Sequence, residues 1–124
     1  MFDHVSIGVR DIAKAKAFYD AALKPLGFTC LSADENSLGY GKDSPRFWVL
    51  KAERPVPDDP KSGLHFCFVA PSQESVKSFH AGAMAHGGRD NGKPGLRKDY
   101  GPHYYAAFVF DPDGYRLEAY HGGK

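Results

Sequence analysis

A chain of 124 residues is long enough for one domain with a real core and too short for two independent ones. Charged residues at 25% and hydrophobic residues at 42% make an ordinary globular mixture, and a net charge of +1 excludes a global field for nucleic acid or an anionic membrane. No apolar run approaches the roughly 20 residues of a membrane span. The opening residues lack the basic, apolar and small-residue succession of a secretory signal, so a cytoplasmic location is expected, with Cys30 and Cys67 as buried free thiols.

Residues 2–10 alternate, with Val5, Ile7 and Val9 on one face and His4, Ser6 and Gly8 on the other, the pattern of a strand between two environments. Asp11 offers an N-cap to a helix whose stripe is Ile12, Ala15, Tyr19, Ala22 and Leu23, ended by Pro25 and Gly27. Phe28–Ser32, Ser37–Gly41 and Phe47–Lys51 read as short strands between polar turns. Residues 53–62 hold three prolines and form a linker. Leu64–Val69 then reads as a strand, and Pro71-Ser72 opens a second helix with the stripe Val76, Phe79, Ala83 and Met84, stopped by Gly87-Gly88. A long loop with glycines and basic residues is expected from Arg89 to His103, followed by strands over Tyr104–Phe110 and Tyr115–Tyr120 around the turn Asp111-Pro112-Asp113-Gly114.

The pattern occurs twice. At a constant spacing of 61 residues His4 meets His65, Phe18 meets Phe79, Ala22 meets Ala83, Leu23 meets Met84 and Gly27 meets Gly88. Matches at equivalent structural roles argue for a duplicated strand–helix–strands unit, with module one at about 1–52 and module two at about 63–124.

His4, His65 and Glu118 share one property: each sits in a strand whose alternate residues are apolar. If Val5, Ile7, Phe66, Phe68, Leu117 and Ala119 pack under the helices, the two imidazoles and the carboxylate face the other side of the sheet. Such donors suit a divalent ion (Zn, Ni, Mn, Fe or Co), and three protein ligands leave positions open. Taken singly, each residue has a plainer role as a solvated strand side chain. Strand parity adds Ser6, Trp48, Tyr104, Phe108 and Tyr120 as candidate substrate contacts, with Cys67, Ala106 and Phe110 on the same walls. The loop cations Arg89, Lys93, Arg97 and Lys98 would attract an anionic substrate, with Lys98 taken as the binding candidate. Tyr104 is the candidate proton-transfer residue.

The opening His4-Val-Ser-Ile-Gly-Val-Arg-Asp-Ile, the Phe18-Tyr19 helix ending in Pro25-Leu-Gly-Phe, the His65 strand and Phe110-Asp-Pro-Asp-Gly-Tyr-Arg-Leu-Glu118 resemble the vicinal-oxygen-chelate superfamily. That superfamily includes glyoxalase I, bleomycin-resistance proteins, fosfomycin-resistance thiol transferases and extradiol dioxygenases. The resemblance implies an α+β fold of two βαβββ modules whose strands form a curved mixed sheet around a cavity, commonly in a homodimer. His4, His65 and Glu118 match three metal positions of that pattern. Glyoxalase I usually draws a fourth ligand, a carboxylate, from the last strand of module one; here the counterpart of Glu118 is expected to be Val49 or Leu50, neither a ligand. The expected function is a metal-dependent reaction on a small, anionic or thiol-containing molecule, of lyase/isomerase or thiol-transferase type. A metal-free drug- or metabolite-binding protein is the alternative. A nucleic-acid or membrane partner is not expected.

Overall fold

In the computed structural model, which describes residues 1–58 and 61–123, each half of the chain folds into the same succession of elements. Module one is β1 (Val5–Val9), α1 (Ile12–Leu23), β2 (Thr29–Ala33), β3 (Ser37–Gly41) and β4 (Pro45–Lys51). Module two is β5 (His65–Val69), α2 (Gln73–Ala85), β6 (Arg89–Leu96), β7 (Tyr105–Phe110) and β8 (Arg116–His121). Each helix starts where a side chain satisfies its free N–H groups. Asp11 accepts from the Lys14 amide at 3.0 Å, and Ser72 and Ser75 bond each other's backbone amides at the head of α2.

The modules form two four-stranded mixed sheets, ordered β1-β4-β3-β2 and β5-β8-β7-β6. In each, the first strand runs parallel to the last and the remaining neighbours are antiparallel. Ile7, Val9, Leu38, Tyr40, Phe47 and Val49 of the first sheet join Ala107, Val109, Leu117 and Ala119 of the second and the apolar stripes of α1 and α2 in one core. The helices pack on each other, and Phe47 packs edge-on against Phe66 and Phe68, at 5.9 and 5.3 Å between ring centres. The two modules therefore meet through their helix-bearing faces. Among the described residues no helix covers the opposite face of either sheet.

The turn between β7 and β8 fastens the halves together. Asp111 is 1% exposed; its Oδ1 accepts the amides of Asp113 and Tyr115, and its Oδ2 accepts the Tyr19 hydroxyl of α1 at 2.5 Å. Burial, against these bonds, pushes the Asp111 carboxyl up to about 6. Tyr115 reaches across to β1, where its hydroxyl donates to the Gly8 carbonyl at 2.7 Å and accepts the Gly8 amide at 3.2 Å. Arg10 meets Asp113 at 3.3 Å.

Three expectations are corrected. Residues 89–96 are strand β6, not loop: Gly92, Pro94 and Gly95 break the alternation, and the ladder with β7 is irregular there, but the strand still pairs along its length. The remaining turn is closed by backbone bonds from the Arg97 amide to the Tyr104 carbonyl (2.7 Å) and from the Tyr100 amide to the Arg97 carbonyl (3.0 Å), so it is built as a fixed strand connection. The thiols are free, as expected, but Cys67 is exposed rather than buried because β5 turns it to the uncovered face. Within the expected linker, Val56–Asp58 makes a 3-10 turn, and residues 59–60 lie outside those described.

Candidate functional site

Alternation along β5 sends Phe66 and Phe68 inward and His65, Cys67 and Val69 outward. In the β5–β8 ladder Cys67 stands opposite Glu118, and in the β7–β8 ladder Phe108 does. Glu118 thus lies in the middle of the uncovered face, yet its side chain is only 3% exposed. A buried carboxylate is costly unless its oxygens are hydrogen-bonded, and both are. His65 Nε2 lies 2.8 Å from Oε1, and the Tyr104 hydroxyl donates to Oε2 at 2.5 Å.

Aromatic rings hold these groups in place. His65 stacks near Phe108, with ring centres 6.3 Å apart, and the Tyr104 ring sits between Tyr120 (4.2 Å) and Tyr100 (5.2 Å). A depression of about 530 Å³ lined by His65, Tyr100, Tyr104, Phe108 and Glu118 opens above them. Burial and the Glu118 carboxylate raise the Tyr104 hydroxyl above its ordinary range. Cys67 is open to solvent as a residue, but the shelter of its thiol beside its neighbours, with Glu118, pushes that thiol up to about 12, so it is not an activated nucleophile.

His4 is not part of this group. It lies at the head of β1, half exposed, and among the described residues no set of three or more His, Cys, Asp or Glu gathers at metal-binding distance. The packing of the modules through their helix faces explains this: the outward face of β1 belongs to the other sheet. Still, His4 is oriented. Its Nδ1 meets Asp3 Oδ2 at 2.8 Å, and Asp3 is braced by Arg46 at 3.2 Å. The bond to His4, then the Arg46 charge, lowers the Asp3 carboxyl. A proton on Nδ1 toward Asp3 leaves Nε2 with its lone pair outward, the carboxylate–imidazole support common behind metal-bound histidines.

The ladder also corrects the expected counterpart of Glu118. Ser6 is the repeat equivalent of Cys67, and it pairs with Trp48, not with Val49 or Leu50. The module-one hairpin is one residue shorter than its counterpart, with Gly39 and Trp48 nine positions apart where Phe108 and Glu118 are ten, and this hides the equivalence in the sequence. Module one therefore has an indole where module two has a carboxylate. Val49 is inside the core, 0% exposed. The Trp48 ring lies over Gly39, where an added Cβ would stand 2.8 Å from it.

The other candidates divide. Tyr104 and Phe108 line the depression with His65 and Glu118, and Tyr120 packs on Tyr104. Ser6 pairs with Trp48 in the other sheet, and Ser6 also lines the cavity between the modules that reaches His65 and Cys67. Lys98 is exposed and does not line the depression. Arg97 is engaged locally: it bonds the Gly95 and Lys93 carbonyls and stacks over Phe108 at 5.3 Å, while Arg89 stacks over Phe110 at 4.7 Å. Ala106, expected on a wall, is fully buried. The sequence reading missed Asp3, Arg46 and Tyr100; a carboxylate directly before His4 was the one available signal.

Two donors bound at 2.0–2.2 Å to one ion at a right angle lie about 3 Å apart. The 2.8 Å between His65 Nε2 and Glu118 Oε1 fits such a pair with almost no rearrangement. A larger apolar cavity of about 870 Å³ lies between the modules, with Phe28, Phe47, Phe66 and Phe68 in its walls. Its lining reaches His65 and Cys67 at the sheet edge but not Glu118 or Tyr104. The carboxylate, imidazole and phenol that could do chemistry meet in the smaller depression.

The family model for the Glyoxalase/Bleomycin resistance protein/Dioxygenase superfamily matches residues 1–119. A glyoxalase/bleomycin resistance protein from Albidiferax ferrireducens T118 is 32% identical, with 98% of each chain covered and a TM-score of 0.83. A putative glyoxalase from Bacillus halodurans is 24% identical over 98% of this chain and 95% of that one, TM-score 0.72. The fosfomycin resistance protein FosX from Listeria monocytogenes shares the fold at 15% identity, with 98% and 93% covered and a TM-score of 0.69. None of the curated proteins matches the chain. With the family match spanning nearly its whole length and both modules built as that resemblance implied, the chain belongs to the glyoxalase/bleomycin resistance/dioxygenase superfamily.

Proposed function

We propose that the chain is a metal-dependent enzyme acting on a small oxygen-rich molecule, and that its site is shared between two copies. His65 and Glu118 of one copy and His4 of the other would hold the ion. The observation that supports this most is the His65–Glu118 pair, 2.8 Å apart on a sheet face that the chain itself leaves uncovered. Two further features favour a second copy as the cover. The uncovered faces carry exposed apolar side chains, Val69 at 70% and Leu50 at 39%. Asp3, braced by Arg46, holds His4 on one ring nitrogen, and among the described residues no cluster of three or more His, Cys, Asp or Glu includes it.

When bound, a divalent ion would act as a Lewis acid on substrate oxygens. The chain's own residues would do the rest. Tyr104 holds Glu118 in place, while Phe108, Tyr120 and the partner's Trp48 exclude water and pack the apolar part of the substrate. The partner's Ser6 hydroxyl would bond a substrate oxygen. Lys98 is left as a peripheral cation that attracts an anionic substrate rather than touching it. With no carboxylate in the Trp48 position, the proposed reaction is of lyase/isomerase or thiol-transferase type without a second protein carboxylate.

The alternative, a metal-free binding protein, is favoured by the apolar cavity between the modules. Elemental analysis of protein purified without chelator separates the two. We expect about one divalent ion per chain, lost in His4→Ala and in Glu118→Ala. Unchanged metal content in both variants, or none in the parent, overturns the enzyme reading.

A further inference from the structure

We propose that Tyr104 is the positioning residue of this site: by holding Glu118 Oε2, it presents Oε1 alone to the point that His65 Nε2 also faces. The inference rests on the metal reading above and specifies how the carboxylate meets the ion.

Glu118 has two oxygens and two different partners. The contact between His65 Nε2 and Oε1 joins two groups that are both donors toward a metal, so an ion arriving between them replaces that contact. The bond from Tyr104 to Oε2 competes with no metal, because a protonated phenol donates and cannot bind in that orientation. A hydroxyl bond on Oε2 takes one of its lone pairs and biases the carboxylate toward coordination through Oε1, with its plane fixed by the second partner.

The position of Tyr104 is itself determined. Its ring is packed between Tyr100 and Tyr120, and its backbone carbonyl accepts the Arg97 amide that closes the turn before β7. The hydroxyl is therefore preorganised and does not depend on Glu118 to find its place. Coordination through Oε1 alone would leave more of a bound ion open to substrate. Tyr104 thus acts through Glu118. This changes its expected role from proton donor to orienting group, since its proton is already committed.

The test uses the full chain and Co(II), whose visible absorption reports coordination. Parent and Tyr104→Phe proteins are titrated with Co(II), and both are checked for fold by circular dichroism. We expect Tyr104→Phe to bind Co(II) on the order of tenfold or more weakly, the usual cost of losing an orienting partner, with a displaced visible band as Oε2 becomes free to coordinate. Equal affinity and an identical band in Tyr104→Phe overturn the inference and leave the metal reading intact. A parent that binds no Co(II) overturns both. Should the variant not fold, a crystal structure of the parent with Co(II) decides: Oε1 on the ion with Oε2 on Tyr104 supports the inference, and both oxygens on the ion overturn it.

Discussion

Modules one and two share a plan but not a purpose. On the outward face of module two the central ladder position is Glu118, buried and bonded on both oxygens; on module one the same position is Trp48, lying over Gly39. Around Glu118 the chain assembles an imidazole, a phenol and a wall of rings. Around Trp48 it offers a flat indole, the small residues Ser6 and Gly8, and one supported histidine at the edge. Duplication preserved the scaffold because both halves need the same helix-to-sheet packing. The outward faces were free to diverge, and under the proposed function they would be complementary halves, one with most of the donors and the other with a wall and a second imidazole.

The modules also differ in how they are joined, and the largest expected effect on stability lies there. Asp111 of module two is buried against Tyr19 of module one, with its carboxyl pushed up to about 6 from an ordinary 3.8. Because the folded value is the higher one, protonation favours the fold. This contribution is fully present below about 3.8 and is lost as pH rises through about 6. A rise of that size corresponds to about 3 kcal/mol as an upper figure. Asp111→Asn removes this titration while keeping an acceptor for the two amides. The parent should therefore gain stability relative to Asp111→Asn as pH falls from 7 to 4, measured by urea unfolding. A flat difference would contradict the account.

The helix ends give a smaller test. Gly27 and Gly88 match in the repeat, yet they serve different needs. Gly27 has φ +92° with open space around it, whereas Gly88 is pressed against the Ala83 carbonyl and Phe18, each 2.7 Å from where a Cβ would stand. The conformational equivalent of Gly27 is Gly87, with φ +91°. Gly88→Ala should cost about 1–3 kcal/mol by overpacking, and Gly27→Ala about 1 kcal/mol through backbone strain alone. Thermal unfolding that ranks them the other way would break the distinction. Smallest is Tyr115→Phe, which removes both bonds to Gly8 and should cost about 1 kcal/mol. Increased amide exchange at Gly8 with little change elsewhere would show that the tie is local to β1.

Much of the scaffold was legible because its signals are periodic. The alternation at Val5, Ile7 and Val9, the stripes of α1 and α2 and the constant spacing from His4 to His65 all survive as observed elements. Strand β6 was not legible, since Gly92, Pro94 and Gly95 erase alternation while pairing with β7 persists. The Trp48–Glu118 equivalence was hidden because the first hairpin is one residue shorter than the second, which shifts the last strand relative to the repeat. Of the site, His65, Glu118, Tyr104 and Phe108 were readable from strand parity, and the structure brings them together. Parity says which face a residue occupies but not which faces meet. For that reason the separation of His4 from His65 and Glu118 could not be read from one strand at a time.

If the two unlike faces complete each other between two copies, chains with different lesions should complement one another when mixed. His4→Ala and Glu118→Ala chains, carrying different tags, are produced separately and together, and bound divalent metal is measured after each preparation. The account predicts almost none in either variant alone. Co-production should restore about a quarter of the sites, because half of the dimers are mixed and each mixed dimer rebuilds one of its two sites. Metal that is not restored by co-production, or that either variant retains on its own, would contradict a shared site.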